Sequence, residues 1–131
     1  YVKNLIKINN YNSVNIIAND MDYMQLDNRV NIHIIFLKYK YLRESKTATS
    51  NSECDLFCKI LIGDKSDNIP GIFKKCGLKS AIKYYENKEL FNRQLDKEKA
   101  NELFKLNELI IDFNKIPDKL KYDFLEKFEN V

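Results

Sequence analysis

Leu-Ile-Gly-Asp-Lys-Ser-Asp-Asn-Ile-Pro-Gly, residues 61–71, stands where an apolar run of the chain ends and a basic run begins. Its two carboxylates, Asp64 and Asp67, lie three positions apart between Gly63 and Pro70. Two interpretations fit this stretch. It is either a polar turn, in which Gly63 ends a helix and Asp67 or Asn68 caps the next element, or a site for chemistry that needs paired acids. The segments on either side bear on the choice.

Upstream, a second acidic pair follows a short apolar segment. Residues 14–18 are β-branched and nearly continuous in apolarity, a pattern typical of a buried parallel strand. Asp20 and Asp22 come directly after it. Open α/β sheets bind ligands beyond the carboxyl ends of their strands, so these acids stand where chemistry is expected. The alternative, that Asp20 is only the N-cap of a short helix, is equally well supported by capping preferences.

The rest of the N-terminal half alternates between helical and strand patterns. Residues 1–10 and 53–62 carry apolar positions at helical spacing, and residues 29–37 alternate like a strand. Residues 38–52 predict a loop, and one of the polar residues 50–52 caps the helix that follows. His33 is predicted to be an exposed strand residue rather than a ligand. A helix that leads into a buried strand indicates an α/β fold.

Downstream of Gly71 the chain becomes basic. The charged residues of the segment 72–85 are all lysines: Lys74, Lys75, Lys79 and Lys83. The pattern predicts a tight turn at Gly77, with Lys79 and Ser80 entering a helix, as in a helix-hairpin-helix whose turn amides hold a phosphate oxygen. Lysines beside such a turn add charge without reading base sequence. An ordinary connection between two helices, with solvated lysines, is at least as good an interpretation.

The C-terminal third of the chain is helical in pattern. Apolar residues at helical spacing predict helices at 87–94, 98–113 and 119–128, with Pro117 and Asp118 starting the last one. The apolar positions on these helices predict a core that braces the basic turn. The predicted core residues include Leu103, Phe104, Leu109, Ile110, Leu120, Phe124 and Phe128.

Composition limits the class of protein. The 131 residues are 44% hydrophobic and 31% charged, with a net charge of +3. No run approaches the about 20 apolar residues of a membrane span, so we expect no membrane partner. Three cysteines without framework spacing favour a reducing, intracellular compartment. With a single histidine they are a poor zinc ligand set, so Cys54, Cys58 and Cys76 are predicted to be small buried side chains.

Three motifs, in this order, resemble one protein family. They are Ile-Ile-Ala-Asn-Asp-Met-Asp-Tyr-Met-Gln-Leu at 16–26, Lys-Ile-Leu-Ile-Gly-Asp-Lys-Ser-Asp-Asn-Ile-Pro-Gly at 59–71 and Cys-Gly-Leu-Lys-Ser-Ala at 76–81. Together they look like the C-terminal part of the flap endonuclease and 5′-to-3′ exonuclease family, which includes the 5′-nuclease domain of bacterial DNA polymerase I and the 5′ nucleases of phages and large DNA viruses. The resemblance implies an α/β fold. Residues 1–62 would be the C-terminal part of a parallel-sheet (PIN-like) nuclease core, and residues 63–131 an all-helical DNA-binding region with a helix-hairpin-helix.

The resemblance also implies roles for the matching residues. It implies that Asp20, Asp22, Asp64 and Asp67 are catalytic ligands of two Mg²⁺ or Mn²⁺ ions. Two such ions roughly 4 Å apart activate a water on one side of a phosphodiester and stabilise the leaving oxygen on the other. The implied partner is 5′-flap or branched duplex DNA, cut in replication or repair. The residues implied to bind it, beside a potassium ion, are Lys74, Lys75, Gly77, Lys79 and Ser80.

The chain departs from the family pattern in two ways. Lys75 replaces the first glycine of the usual Gly-x-Gly hairpin, and one extra residue precedes it, which alters the turn that would hold potassium. The family's other metal carboxylates and its DNA-threading arch lie N-terminal to the matched region. We therefore expect that efficient cleavage needs a missing N-terminal part of the same protein. The alternative is a non-catalytic helix-hairpin-helix DNA-binding module, or one part of a split nuclease.

Overall fold

The structure is a computed structural model that describes residues 11–36 and 40–129. Over these residues the chain forms a small sheet followed by a larger set of helices, which is a mixed α/β fold. The helix predicted at residues 1–10 lies outside the described residues. None of the helices described is both long enough and apolar enough to cross a membrane.

Two parallel strands form the centre of the sheet. Strand β1 (Val14–Ile17) pairs with strand β2 (Ile32–Phe36) in a register that sets Val14 beside Ile32. The short strand β3 (Lys40–Tyr41) runs antiparallel along the other edge of β2. The parallel pair confirms the predicted α/β class at this coarse level.

The crossover between β1 and β2 covers one face of the sheet. It contains a 3-10 helix at Met21–Leu26, and a second 3-10 helix, Leu42–Glu44, follows β3. Met24, Ile34 and Leu42 are buried between these elements and form the smaller of two apolar cores. The burial of Met24 against the sheet therefore fixes the start of the crossover, which carries Asp20 and Asp22, next to the carboxyl end of β1.

The strand predictions were wrong at two positions. Ile17 was predicted to be buried but is 70% exposed, because half-buried and exposed residues alternate along β1 and Ile17 is on the exposed face. Val30 was predicted to lie in the second strand but is 79% exposed, and β2 begins only at Ile32. The reason is a turn: Asn28 Oδ1 accepts hydrogen bonds from the amides of Val30, Asn31 and Ile32 at 3.1, 3.0 and 2.8 Å.

Helix α1 (Ser52–Ile62) lies at the centre of the larger core. Asn51 is its N-cap, as predicted, since Asn51 Oδ1 accepts a hydrogen bond from the Cys54 amide at 2.8 Å. Helix α1 packs against helix α2 (Leu78–Glu86) and helix α4 (Asn101–Ile111), and helix α3 (Lys88–Glu98) completes the core. The buried core residues are Cys54, Cys58, Leu61, Ile72, Phe73, Ala81, Phe91, Leu95 and Ala100.

The connection between α1 and α2 spans residues 63–77. Helix α2 begins directly after Gly77, as predicted, but the predicted tight turn at Gly77 is absent, because Gly77 is extended with φ −98° and ψ 178°, and residues 72–75 form bends rather than a helix. The helix on the N-terminal side of the connection is therefore α1 itself, which packs against α2. Ile72 and Phe73 are buried in the core that the two helices share. The domain boundary between residues 62 and 63 stays a prediction.

The C-terminal helices confirm the predicted pattern only in part. Helix α5 (Asp118–Glu129) begins after Pro117, as predicted, and Leu103 and Phe104 pack against the larger core. The other predicted core residues of the described chain are exposed instead: Leu109, Ile110, Leu120 and Phe124. For α4 the reason is its rotation, because this helix buries Asn107 and Ile111. The side chain of Phe128 lies outside the described part of the chain.

Candidate functional site

Asp20 and Asp22 lie at the turn between β1 and the first 3-10 helix. Asp20 is the N-cap of that helix, and its Oδ1 accepts a hydrogen bond from the Asp22 amide at 2.9 Å. The capping hypothesis for Asp20 is thus confirmed. Asp22 occupies the first turn of the 3-10 helix, with its side chain half-buried. The carboxyl end of the strand places both acids beside helix α1, on which the 3-10 helix packs.

Asp64 and Asp67 lie on a tight turn that follows α1. The amide and carbonyl of Asp64 exchange hydrogen bonds of 2.9 and 2.8 Å with Ile69, which closes the turn as a small antiparallel bridge. Gly63 enters the turn with a φ of +75°, a left-handed conformation that favours glycine. Inside the turn, Asp64 Oδ1 accepts hydrogen bonds from the amide and the hydroxyl of Ser66, at 2.9 and 2.5 Å. The polar-turn interpretation is therefore correct about the shape of this stretch.

Three of the four predicted acids come together. One carboxylate oxygen from each of Asp22, Asp64 and Asp67 lies within 4.8 Å of the other two. We call these three residues the acid group. Among the described residues they are the one set of His, Cys, Asp and Glu side chains close enough to share a metal ion, and Asp20 is not a member. The tertiary fold thus joins two acidic motifs that are far apart in the sequence.

Lys59 lies inside the acid group, and the sequence analysis gave it no role. Its Nζ is 2.8 Å from Asp22 Oδ1 and 2.5 Å from Asp64 Oδ2. The lysine side chain retains 23% of its possible exposure, so most of it is shielded from water. One signal could have identified it: Lys59 is the one charged residue between Leu56 and Ile62, in an otherwise apolar run that leads into Gly63.

The ion pairs change the electrostatics of the site. The hydrogen bond from Lys59, followed by the hydrogen bonds from Ser66, holds the pKa of the Asp64 carboxyl well below its usual value. For Lys59, burial alone would lower the pKa, but the hydrogen bonds to Asp22 and Asp64 outweigh burial and raise it. Both shifts favour the charged forms, so a full positive charge is held among the carboxylates.

The acid group fits a hard divalent cation in two respects. Carboxylate oxygens are the ligands that Mg²⁺ and Mn²⁺ prefer, and three carboxylates are a common donor set for one such ion. Asp22 Oδ1 is also shielded from solvent, and the positive charge beside it is Lys59 Nζ, 2.8 Å away. A shielded carboxylate needs a cation beside it, and at this position the cation is either the ammonium or a metal ion.

A buried asparagine supports the turn that carries Asp64. Asn107 of α4 is 1% exposed, and its Nδ2 donates hydrogen bonds to the carbonyls of Ile60 and Pro70, at 3.1 and 2.8 Å. The Ile60 carbonyl belongs to the last turn of α1, where carbonyls lack partners inside the helix. Asn107 therefore clamps both ends of the Asp64 turn, a role that the sequence analysis did not identify.

A glutamine gives the same support to the segment that carries Asp22. Gln25 Nε2 donates a hydrogen bond to the Ile111 carbonyl at 3.0 Å, and its Oε1 accepts one from the Phe113 amide at 2.9 Å. Both partners lie at the end of α4, where the chain enters a 3-10 helix at Phe113–Lys115. Helix α4 is thus linked to both acidic segments by amide side chains. Gln25 links it to the segment of Asp22, and its own Asn107 links it to the turn of Asp64.

The residues predicted to contact DNA form an exposed surface at the start of α2. All of them are exposed: Lys74, Lys75, Gly77, Lys79 and Ser80. Gly77 is the N-cap and supplies no side-chain hydrogen bond, and the first turn of α2 carries no acid, so the first amides of the helix have no side-chain cap. The Lys74 amide is engaged, since it donates to Glu98 Oε2 at 2.9 Å.

A cavity lies between Asp22 and the first turn of α2. Its volume is about 220 Å³, and its lining includes Asp22 and Lys59 of the acidic side and Leu78 from the first turn of α2. The rest of its lining is mainly apolar, with Met21, Met24, Leu56 and Ile62 among the residues. Asp22 of the acid group and Leu78 at the start of α2 therefore line the same cavity.

Comparisons with known proteins identify no relative. A scan against models of protein families finds no match to this chain. A search of curated proteins also finds no significant match. Any function must accordingly be argued from the residues and their geometry.

Proposed function

We propose that this chain is the C-terminal portion of a structure-specific 5′ nuclease that hydrolyses DNA phosphodiesters with divalent metal ions. The observation that carries the proposal is the convergence of Asp22, Asp64 and Asp67, with one carboxylate oxygen of each within 4.8 Å of the others. These acids come from the two motifs that resemble the metal-binding motifs of the 5′-nuclease family. A polar turn and a helix cap need no such convergence.

The chain's own residues divide the work in this proposal. Asp22, Asp64 and Asp67 would hold Mg²⁺ or Mn²⁺, which when bound supplies an activated water and charge stabilisation at the leaving oxygen. Asp20 would orient the segment of Asp22 through its cap hydrogen bond of 2.9 Å. The sheet with α1 would be the end of a parallel-sheet nuclease core, as proposed for residues 1–62.

The DNA-binding part of the proposal concerns residues 63–131. Helix α1, the connection 63–77 and helix α2 would form the equivalent of the helix-hairpin-helix, and the amides after Gly77, which have no side-chain cap, would bind a phosphate. Lys75 and Lys79 would add attraction to the DNA backbone without sequence preference. The shared cavity at Leu78 supports placing the bound backbone near the acid group.

A second candidate is a DNA-binding module without catalysis. Lys59 favours it, because its contacts with Asp22 and Asp64 give both acids a structural partner. In such a module the acids would fix the turns and the lysines would bind DNA. The two candidates differ in one measurable property, which is whether a divalent ion at the acid group strengthens DNA binding.

The experiment measures Mn²⁺ binding and DNA binding by the full 131-residue chain. Electron paramagnetic resonance of free Mn²⁺ gives the metal affinity, and fluorescence anisotropy with a 5′-flap duplex gives the DNA affinity, with Mn²⁺ or with chelator. For a nuclease portion we expect Asp64→Asn to weaken Mn²⁺ binding by about tenfold and to abolish the metal-dependent gain in DNA affinity. Asp96→Asn, an exposed acid on α3, is the matched control and should leave both unchanged.

Two results would count against these proposals. Flap binding that is equal with Mn²⁺ and with chelator, and is unaffected by Asp64→Asn, would leave the non-catalytic module as the function. If the wild type binds the flap no more tightly than a double variant with Lys75→Ala and Lys79→Ala, the proposed DNA-binding surface is wrong as well. A double variant with Lys88→Ala and Lys97→Ala, two exposed lysines on α3, controls for the loss of the same charge.

A further inference from the structure

The ammonium of Lys59 occupies the position in which a cation would serve the acid group. It lies 2.8 Å from Asp22 Oδ1 and 2.5 Å from Asp64 Oδ2, so it bridges the two acidic motifs directly. All three side chains are largely shielded, with 23%, 26% and 17% of their surfaces exposed for Lys59, Asp22 and Asp64. A lysine in this place satisfies the same oxygens that a metal ion would need.

The backbone fixes the base of this side chain. The Lys59 carbonyl accepts the Gly63 amide at 2.8 Å in the last turn of α1, and Asp64 follows directly. The buried Leu61 and Ile60 hold this turn in the protein interior. Lys59 therefore cannot leave the acid group by movement of the backbone, and only rotation of its own side chain can withdraw the ammonium.

Charge balance shows what the lysine does to the group. Three ionised carboxylates carry a charge of −3, and the ammonium of Lys59 reduces it to −2. Without that charge the carboxylates would repel one another, since their oxygens lie within 4.8 Å. Opposite charges attract more strongly when they are shielded from water, so the carboxylates bind either cation firmly. The ammonium and a divalent ion need the same oxygens and therefore compete for them.

We propose that Lys59 is a built-in counter-cation that competes with the divalent metal ion for Asp22 and Asp64. This inference rests on the proposed function, because it takes the acid group to be a metal site. In the metal-free protein Lys59 holds the acid group together. A metal ion binds only as the ammonium withdraws from the two oxygens, so Lys59 weakens metal affinity and acts as a positioning residue rather than a ligand.

The test compares the Mn²⁺ affinity of the full chain with that of Lys59→Met and of a matched control, Lys65→Met. Lys65 lies on the same turn but is exposed, so its removal changes the net charge equally without removing an ion pair at the acid group. We expect Lys59→Met to bind Mn²⁺ about tenfold more tightly and Lys65→Met to change affinity by less than about threefold, because exposed charges are screened.

Two further variants protect the test from a folding defect. Lys59→Gln keeps a polar side chain in place of the ammonium and should also bind Mn²⁺ more tightly than wild type. Lys59→Arg keeps the charge and should remain close to wild type. Thermal unfolding adds a readout that is independent of titration: added Mn²⁺ should raise the Tm of Lys59→Met and Lys59→Gln more than that of the wild type.

The outcomes separate this inference from the proposed function. Wild-type protein that binds Mn²⁺ through Asp64, with Lys59→Met and Lys59→Gln binding no more tightly, would overturn the competition while leaving the metal site intact. If neither the wild type nor any Lys59 variant binds Mn²⁺ in a way that depends on Asp64, both the metal site and the competition by Lys59 are wrong. Binding that emerges only when Lys59 is replaced would be the strongest support for competition.

Discussion

Lys59 Nζ lies 2.5 Å from Asp64 Oδ2, and this contact joins the last turn of α1 to the turn that follows it. The two residues are five positions apart, and Gly63, with a φ of +75°, ends the helix between them. The contact determines the charge of the candidate site. It also makes the stability of the protein depend on pH and on backbone geometry at Gly63.

The Lys59–Asp64 pair should lose strength in acid. The folded-state pKa of Asp64 is lowered from the usual 3.8, chiefly by Lys59, so its contribution is present above that value and is lost as pH falls through the folded pKa. A double-mutant cycle with Lys59→Met and Asp64→Asn, measured by urea unfolding, should give a coupling of about 1–2 kcal/mol at about pH 7. The coupling should shrink steadily below about pH 4. A coupling energy that is the same at about pH 7 and well below about pH 4 would contradict the ion pair with Lys59 as the cause of the lowered Asp64 pKa.

Gly63→Ala should destabilise the protein strongly. An added Cβ would lie 2.4 Å from the Ile69 carbonyl oxygen and 2.6 Å from the backbone of Pro70, and the φ of +75° disfavours a side chain as well. We expect a loss on the order of 3 kcal/mol in the free energy of unfolding. Gly77→Ala is the control: a Cβ there meets nothing within 4 Å, and the change should stay within about 0.5 kcal/mol. An equal loss of unfolding free energy in Gly63→Ala and Gly77→Ala would contradict the close backbone packing described at Gly63.

Asn107→Leu should uncouple α4 from the Asp64 turn. The substitution has similar volume but removes the hydrogen bonds to the Ile60 and Pro70 carbonyls, which leaves both acceptors without this donor. We expect a loss of about 2–3 kcal/mol in unfolding free energy, measured by chemical denaturation. Asn92→Leu, on the exposed side of α3, should change it by less than about 0.5 kcal/mol. A tolerated leucine at position 107 would mean that the clamp does not stabilise the fold.

The three cysteines should react in a defined order. Cys54 and Cys58 are 1% and 3% exposed, while Cys76 is half-buried. Burial, followed by the neighbouring Cys54, raises the pKa of the Cys58 thiol, and burial with the nearby Glu98 raises that of Cys76. Because the thiolate is the reactive form, iodoacetamide should label all three slowly in the native protein, with Cys76 first. Mass spectrometry should find comparable labelling of all three in urea, and early native labelling of Cys58 would contradict this packing.

Local chemistry made several elements predictable from the sequence. The Asn51 cap, the break at Gly63, the start of α2 after Gly77 and the start of α5 after Pro117 all depend on residues within a few positions of one another. A cap or a turn is stabilised by hydrogen bonds and allowed φ values that the neighbouring residues themselves supply. The two acidic motifs were recognisable for the same reason, since each is a short contiguous stretch.

The tertiary structure alone decided which of these features meet. The sequence could not show that Asp20 would cap a 3-10 helix while Asp22 joined Asp64 and Asp67, or that Lys59 would stand among them. It also indicated buried positions for Leu109 and Ile110, which are exposed, and gave no sign of the buried Asn107. Burial and ion pairing depend on which distant surfaces pack together, and helical periodicity identifies an apolar stripe without identifying what covers it. The sequence by itself determined the turns, the caps and the acidic motifs, and the packing of α1 and α4 around them determined the site.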